Sequence, residues 1–363
     1  MLDQKIKLIR ERMVKEEISM LVLSPGPHMA WLFDFYPLPD ERPCFSCLSL
    51  DDLSFLVPSL NVEQFRSKLN YSFYTWQDEK GPNTAFKKLV SEMSLPAGCK
   101  IAVDETMRAD FLYLIQDTLP KALITFSKST VGYLRMLKTE SEYQKLKKSA
   151  LVADNSMKAA LENISPKISE LAVSAIINQA FHEQGARPAF SLVASGNNAA
   201  FPHHHSCQDT LEKGKPVIID IGGVFGEYFS DMTRMIHIGD PSDRYLFIHN
   251  VVEEALQAAL DKATIGKAAS EVDDAARKVI EIAGFGEYFV HRTGHGLGLE
   301  IHEPPYITSS SEVVLEEGMV FTIEPGIYMP GDLGVRLEEV VYLSKNGPRI
   351  LSDLSRDCLL YTS

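Results

Sequence analysis

The sequence predicts an α/β N-terminal domain over residues 1–130, followed by an α+β domain with internal pseudo-twofold symmetry over residues 131–363. Three observations carry this. The chain has 363 residues, more than one ordinary hydrophobic core accommodates. Apolar runs of strand length alternate with helical patterns up to about residue 130, and long charge-rich helical patterns then lead into short strands and turns. The second part also repeats itself. Leu211-Glu212-Lys213-Gly214 leads to Asp220, and Leu315-Glu316-Glu317-Gly318 leads to Glu324.

In the first part, residues 2–16 have the apolar spacing of a helix, and 18–23 form a strand candidate closed by Ser24-Pro25-Gly26-Pro27. Residues 53–57 and 101–103 read as further buried strands, with helices at 61–69 and 84–93 between them. Cys44 and Cys47 have the C-x-x-C spacing of a redox pair or half a zinc site. No second C-x-x-C exists, and their surroundings read as an apolar strand, so both are expected to be buried strand cysteines. The region has no glycine-rich phosphate loop and no cluster of acid, base or nucleophile. It is expected to shape a site and to carry no chemistry.

The boundary is expected near residues 127–130. Beyond it, residues 137–164 give a helix with opposite charges at i,i+4 spacing. A second helix at 168–184 ends at Gly185, a natural C-cap. In the repeat, each leucine precedes its acid by nine positions (220 minus 211; 324 minus 315). A second acid follows, Asp231 eleven positions after Asp220 and Glu338 fourteen after Glu324. A helical pattern precedes each copy, at 168–184 and 268–283. Each copy thus reads as helix plus hairpin, with one acid ending the first strand and the other on the returning strand. Twofold symmetry would bring both acidic hairpins to one cleft.

Hydrophobic residues make up 45% of the chain and charged residues 23%, the balance of a soluble globular protein. Asp and Glu outnumber Lys and Arg, 49 to 36, for a formal charge of -13. That disfavours nucleic acid and anionic membrane as partners. No apolar run approaches the ~20 residues that cross a bilayer. The N-terminal stretch mixes both charge signs with spaced apolar residues, unlike a signal peptide, so a cytoplasmic location is expected.

The chemistry concentrates near the end of the chain, in Gly294-His295-Gly296, Ile301-His302-Glu303, Thr322-Ile323-Glu324-Pro325-Gly326 and Val335-Arg336-Leu337-Glu338. With the upstream acids this offers five ligands: Asp220, Asp231, His295, Glu324 and Glu338. Four carboxylates gathered in one place resist ionisation unless cations are present. Two divalent ions balance four carboxylates, and one imidazole completes the set without adding charge. Such a donor set suits Mn2+, with Co2+, Fe2+ or Zn2+ as alternatives. Two ions ~3.5–4 Å apart would share a hydroxide available near neutral pH. A lone strand acid is usually solvated or salt-bridged, but carboxylates flanked by Val-Ile-Ile and Phe-Thr-Ile are costly to bury without partners. Arg336 lies two residues before Glu338, on the same strand face, and could orient a metal-binding carboxylate.

These motifs resemble the pita-bread metallopeptidases, through Pro188-Ala189-Phe190, Asp220-Ile221-Gly222, Ser230-Asp231-Met232-Thr233-Arg234, Gly294-His295-Gly296-Leu297-Gly298, His302-Glu303, Ile323-Glu324-Pro325-Gly326 and Val335-Arg336-Leu337-Glu338. The N-terminal half resembles the smaller domain of prolidases, aminopeptidases P and creatinases. The resemblance implies that Asp220 binds one metal, that Asp231 and Glu338 bridge the pair, and that His295 and Glu324 bind the second. It implies a general acid/base role for Glu324. His203 and His302 match the family's two substrate-facing histidines, which stabilise the oxyanion and hold the scissile peptide. No role transfers to His204 and His205, which are expected to be exposed or outside the first ring of contacts.

The implied reaction is hydrolysis of the N-terminal Xaa-Pro bond by a hydroxide shared between the metals. An Xaa-Pro bond is a tertiary amide without N–H, so the pocket must be built for it. The reading is an Xaa-Pro dipeptidase acting on Xaa-Pro dipeptides or short peptides, with a homodimer implied. Aminopeptidase P, acting on longer peptides, is the alternative, because Glu303-Pro304-Pro305-Tyr306 offers no arginine for a substrate carboxylate. A non-enzymatic pita-bread binding protein is the alternative of another class, and the full ligand set argues against it.

Overall fold

The structure is a computed structural model and describes residues 2–356. The chain divides into two compact units, Met1–Arg135 and Met136–Ser363. The division falls beyond residue 130 because the intervening turn of helix packs with the first unit. Val131 is buried in that unit's core and Leu134 lies against it.

The first unit runs α1 (Leu2–Lys15), β1 (Met20–Leu23), α2 (Pro27–Phe33), β2 (Phe45–Ser49), β3 (Leu53–Pro58), α3 (Val62–Arg66), β4 (Ser72–Trp76), α4 (Asn83–Glu92), β5 (Lys100–Val103), α5 (Ala109–Thr118), β6 (Leu123–Phe126) and α6 (Val131–Met136). Its six strands form one mixed sheet of order β4-β3-β2-β1-β5-β6. The central strands β1, β2 and β3 are buried along their whole length, as their largely apolar sequences, broken only by Ser46, Ser49 and Ser54, require. Helix α1 buries Ile6, Ile9 and Met13, one stripe at helical spacing. The edge strands β4 and β6 are half-exposed and lack such runs, so the sequence pattern does not mark them. Cys44 and Cys47 lie just before and within β2, buried and free. Burial pushes the Cys44 thiol up to about 12, and the Cys47 thiol higher still, so neither is a redox or zinc thiolate.

The second unit begins with α7 (Glu140–Asn163) and α8 (Glu170–Glu183), continues through β7 (Arg187–Ser195), β8 (Pro216–Phe225), β9 (Tyr228–Phe229) and β10 (Met232–His237), and turns into α9 (Asp243–Lys262) and α10 (Ala269–Ile282). There follow β11 (Gly294–Gly296), β12 (Glu303–Ile307), β13 (Val320–Ile323), β14 (Gly326–Met329), β15 (Leu333–Arg336), β16 (Glu339–Ser344) and β17 (Gly347–Ile350). The first helix starts at a full capping box, Thr139 with Glu142.

The repeat is visible bond by bond. Leu211 N–H donates to Ile168 O, and Leu315 N–H donates to Lys267 O, both at 2.8 Å. Each leucine carbonyl is answered in turn, by Lys167 N–H in one copy and Gly266 N–H in the other. Gly214 and Gly318 both take positive φ, 82° and 90°, at the turn that follows. That is the left-handed region where glycine avoids a Cβ clash. Each copy therefore consists of two packed helices and a hairpin, one helix more than the sequence pattern suggests.

The acids depart from the expected placement: Asp231 precedes β10 and Glu338 falls between β15 and β16, beside the returning strands and not within them. Asp220 lies inside β8, which continues to Phe225, whereas Glu324 follows the end of β13. Pro325 lacks an N–H, so the ladder pauses after Ile323. It then resumes without a shift. Ile323 pairs with Glu339 and Gly326 with Arg336, and each pair of numbers sums to 662. Glu324 and Glu338 share that sum and so face each other across the pause.

In the native chain at about pH 8, iodoacetamide should leave Cys44 and Cys47 unmodified and should label both after unfolding, as read by peptide mass spectrometry. Native-state labelling of either at the rate of an unfolded control would contradict the burial described.

Candidate metal centre

The two hairpins present their acids to one cavity of about 760 Å3. Its walls include Asp220, Asp231, His295, Glu324, Glu338, Arg336, His203 and His302, so every residue singled out from the sequence lines it. Side chains two apart on a strand share a face. Asp220 stands opposite Thr233 in the β8–β10 ladder, and Asp231 precedes Thr233 by two, so both acids point to the same side. Arg336 and Glu338 follow the same rule on the second hairpin.

The ligand atoms converge. Donor atoms of Asp231, His295 and Glu338 lie within 4.8 Å of one another. His295 Nε2 is 3.6 Å from Asp231 Oδ2 and 3.3 Å from Glu324 Oε1. On the other side of the ring, Nδ1 lies 3.1 Å from the Gly296 carbonyl, which can accept only from a protonated Nδ1. Nε2 therefore faces the carboxylates, and in the neutral ring it is the nitrogen free to bind a metal. His295 fits there because its neighbours are glycines. A Cβ on Gly294 would lie 1.9 Å from Thr322 O, and one on Gly296 would lie 2.3 Å from Pro304 O.

Arg336 ties the two hairpins to the acids. It donates to Asp220 Oδ2 at 2.7 Å, to Tyr328 Oη at 2.9 Å and to Thr233 Oγ1 at 3.1 Å. Thr233 Oγ1 in turn donates to Glu338 Oε2 at 2.8 Å. Thr322 Oγ1 donates to Glu324 Oε1 at 3.2 Å and accepts from His295 N–H at 2.9 Å. The sequence reading passed over Thr233, Thr322 and Tyr328. The spacing rule of two could have found Thr322, two before Glu324, and Thr233, two after Asp231.

The electrostatics are those of a site lacking enough protein cations. Burial and the neighbouring carboxylates push Asp231 and Glu338 well above the ordinary carboxylate range. Burial raises Asp220 as well, against the pull of Arg336. For Glu324 burial is outweighed by the hydrogen bond to His295 and by nearby positive charge, which hold it down at about 2. Asp220 Oδ1 is buried and has no hydrogen-bond partner among the described residues. An orphaned oxygen, mutually repelling acids and an imidazole lone pair fit a pair of divalent cations.

His203 and His302 are exposed on the cavity wall, and the His302 ring meets that of His295 edge-on at 4.2 Å between centroids. Burial and His295 together lower His302 to about 4. Each of these two histidines is followed by an anchored residue. After His203, His204 is half-buried and sits 2.7 Å from the fully buried Glu170, behind the acid cluster and not within it. Glu170 also accepts from Ser195 N–H, the Asn198 amide and Cys207 N–H. After His302, Glu303 receives the buried Lys138 ammonium at 2.6 Å. His205 is exposed and lines the cavity.

Comparison with known proteins agrees with this architecture. Residues 144–345 match metallopeptidase family M24, and residues 5–137 match the creatinase/prolidase N-terminal domain. The chain is 32% identical over 364 residues to an Xaa-Pro dipeptidase of Pyrococcus horikoshii, covering 99% of each. Among solved structures it resembles recombinant prolidase of Thermococcus sibiricus, with a TM-score of 0.91, 32% identity and 99% coverage of both chains. It also resembles dipeptidase PepE of Mycobacterium ulcerans, with a TM-score of 0.94, 31% identity and coverage of 100% and 98%. A family match over most of the second unit, a relative matched end to end and a cavity of converging carboxylates lead to one conclusion: the chain belongs to metallopeptidase family M24 and is a metal-dependent peptidase.

Proposed function

We propose that this chain hydrolyses the bond between an N-terminal residue and proline, with Xaa-Pro dipeptides as its substrates. The observation that carries the reading is the convergence of the donor atoms of Asp231, His295 and Glu338 within 4.8 Å. The similarity to an Xaa-Pro dipeptidase along the whole chain supports the substrate class.

Asp220 would hold one divalent ion and His295 and Glu324 the other, with Asp231 and Glu338 between them. Manganese suits four carboxylates and one imidazole, and cobalt, iron or zinc could substitute. When bound, the pair of ions supplies Lewis acidity and a hydroxide near neutral pH. Glu324 is the carboxylate placed to take the proton of the attacking water and pass it to the leaving proline nitrogen. That nitrogen has no hydrogen of its own before cleavage, so the transfer completes the departure. His203 and His302 would donate hydrogen bonds to the peptide oxygen as it becomes negative. Arg336 fixes the rotamer of Asp220 and, through Thr233, that of Glu338.

Longer Xaa-Pro peptides are the competing substrates. A homodimer in the cytoplasm belongs to the same reading and rests on the family resemblance. No helix among the described residues is long and apolar enough to cross a membrane.

The reading is tested by supplying manganese to the purified chain and following Ala-Pro, Ala-Pro-Ala and Ala-Ala. Cleavage of Ala-Pro well ahead of Ala-Ala is expected, and equal rates on both would remove the proline requirement. Asp231→Ala and Glu338→Ala should each lose bound metal by elemental analysis, together with activity. Retention of two ions per chain in either variant would remove it from the ligand set.

The anchors behind the two histidines give two further outcomes. Lys138→Met leaves Glu303 charged and buried, and should cost about 3–5 kcal/mol in denaturant unfolding. A paired Lys138→Met, Glu303→Met variant should recover much of that loss. Glu170→Gln should lower kcat/KM while metal content holds, and should cost far less when His203 is already alanine, because coupled residues are not additive. Equal costs in both backgrounds would detach Glu170 from His203.

A further inference from the structure

A second convergence of donor atoms lies apart from the five residues of the acid cluster. Glu170, His204 and Cys207 each bring one metal-binding atom to a common place, and those atoms lie within 4.8 Å of one another. His204 Nε2 is 2.7 Å from Glu170 Oε2, and Cys207 Sγ is 3.4 Å from the same oxygen. Glu170 is fully buried in the first turn of α8, and His204 and Cys207 are half-buried. The two oxygens of Glu170 have different neighbours. Oε1 accepts from Ser195 N–H at 2.8 Å and from the Asn198 amide at 3.0 Å, which fix the carboxylate in place. Oε2 meets the His204 ring, the Cys207 thiol and the Cys207 N–H.

The turn that carries the imidazole and the thiol is held at several points. Ser206, between them in sequence, accepts from Val193 N–H at 2.8 Å through its hydroxyl. Asp209 N–H donates to Cys207 Sγ at 3.4 Å, and the Cys207 carbonyl accepts from Leu171 N–H at 3.0 Å. The donors are therefore gathered before any ion arrives, which lowers the entropy lost on binding. Carboxylate, imidazole and thiolate are each zinc ligands, and tetrahedral zinc bonds separate oxygen from sulfur by about 3.6 Å and oxygen from nitrogen by about 3.4 Å. The oxygen–sulfur spacing is nearly met at 3.4 Å. The other asks the half-buried His204 ring to withdraw by about 0.7 Å (3.4 minus 2.7) once the ion replaces the hydrogen bond. His204 also lines the cavity of about 760 Å3, which gives an ion its way in.

We propose that Glu170, His204 and Cys207 bind one zinc ion, at a site separate from the acid cluster. One carboxylate and one thiolate balance the charge of the dication. On binding, the Cys207 thiol releases its proton to solvent, and the neutral His204 ring carries its hydrogen on Nδ1 in place of Nε2. Glu170 Oε2 exchanges its bonds from the ring and the thiol for one bond to the ion, and water takes the fourth position. Ser195 and Asn198 stay on Oε1 and orient the ligand. The ion fastens the residue after His203 to the start of α8. Manganese favours oxygen ligands, so loading the acid cluster with it leaves this site to zinc or cobalt. The site stands whether or not the chain cleaves Xaa-Pro bonds.

The test titrates cobalt, a coloured stand-in for zinc, anaerobically into the full chain. Cobalt bound to a thiolate has a near-ultraviolet charge-transfer band that cobalt on carboxylates and imidazole lacks, and no cysteine lines the acid cavity among the described residues. Wild type should develop that band and saturate it at one cobalt per chain. Cys207→Ser should abolish it, and its hydroxyl can still donate to Glu170, so the fold is kept. His204→Asn and Glu170→Gln should each weaken cobalt at this site by about tenfold or more, and Asn198→Ala, which removes an orienting donor, by about ten- to a hundredfold. Circular dichroism matching wild type is the check that each variant is folded. With zinc, elemental analysis should find one ion per chain fewer in Cys207→Ser than in wild type. Wild type without the band overturns the assignment. A band that survives Cys207→Ser belongs to another thiol and overturns it as well. Unchanged affinity in either His204→Asn or Glu170→Gln does the same, because the ion is then held by the thiol without the built site.

Discussion

The structure of the second unit depends on the repulsion among four carboxylates, Asp231 and Glu338 buried and Asp220 and Glu324 half-buried. Asp220, Asp231, Glu324 and Glu338 come from two hairpins far apart in sequence and face one cavity. Nothing in a hydrophobic core rewards that arrangement, and desolvation penalises it. One arginine reaches a carboxylate oxygen directly, through the 2.7 Å contact of Arg336 with Asp220. The others are left to threonine hydroxyls, the His295 imidazole and each other. A protein folded for stability alone would replace such a cluster with apolar side chains of similar volume. Paired dications reverse the sign of the interaction, and the repulsion becomes the means of holding metal.

The two hairpins are tied together reciprocally. Arg336 belongs to the second hairpin and reaches Asp220 and Thr233 on the first. Arg234 belongs to the first and reaches across to the second, donating to the Glu338 carbonyl at 2.6 Å and to Glu339 Oε1 at 3.0 Å. Arg234 is fully buried, so these contacts replace its hydration shell. Each arginine therefore fixes the backbone or the side chain of a ligand on the opposite copy. This is the consequence of a face-to-face repeat: neither hairpin positions its acids alone.

The parts legible in the sequence were those written in short-range patterns. The apolar runs of β1 and β3 marked central strands, and the paired Leu-Glu-x-Gly turns marked the repeat. Acids set between β-branched residues marked the carboxylates that converge on the cavity, because so few explanations for them exist. The edge strands β4 and β6 were not legible, since half-exposed strands carry no continuous apolar run. Nor was the role of Lys138, whose partner Glu303 lies 165 residues away. Glu170 looks in sequence like any acid in the first turn of a helix, where it favours the dipole. Its actual work, receiving donors from residues 195–207, depends on long-range folding.

The same contrast separates two layers of the site. The proposed metal ligands sit on or beside ladder strands, where the strand register sets their spacing and glycine at 294 and 296 admits the neighbouring carbonyls. The histidines proposed to face substrate sit on connecting segments, which tolerate change more readily. Those segments are nonetheless held from beneath by buried carboxylates, Glu170 under the first histidine and Glu303 beside the second. A loop pinned at a single buried point keeps its direction while its exposed residues vary. The exposed residues of the cavity edge can then vary without disturbing the charge balance of the acid cluster. The chemistry is set by the rigid frame, and the choice of peptide by what is mounted on its edges.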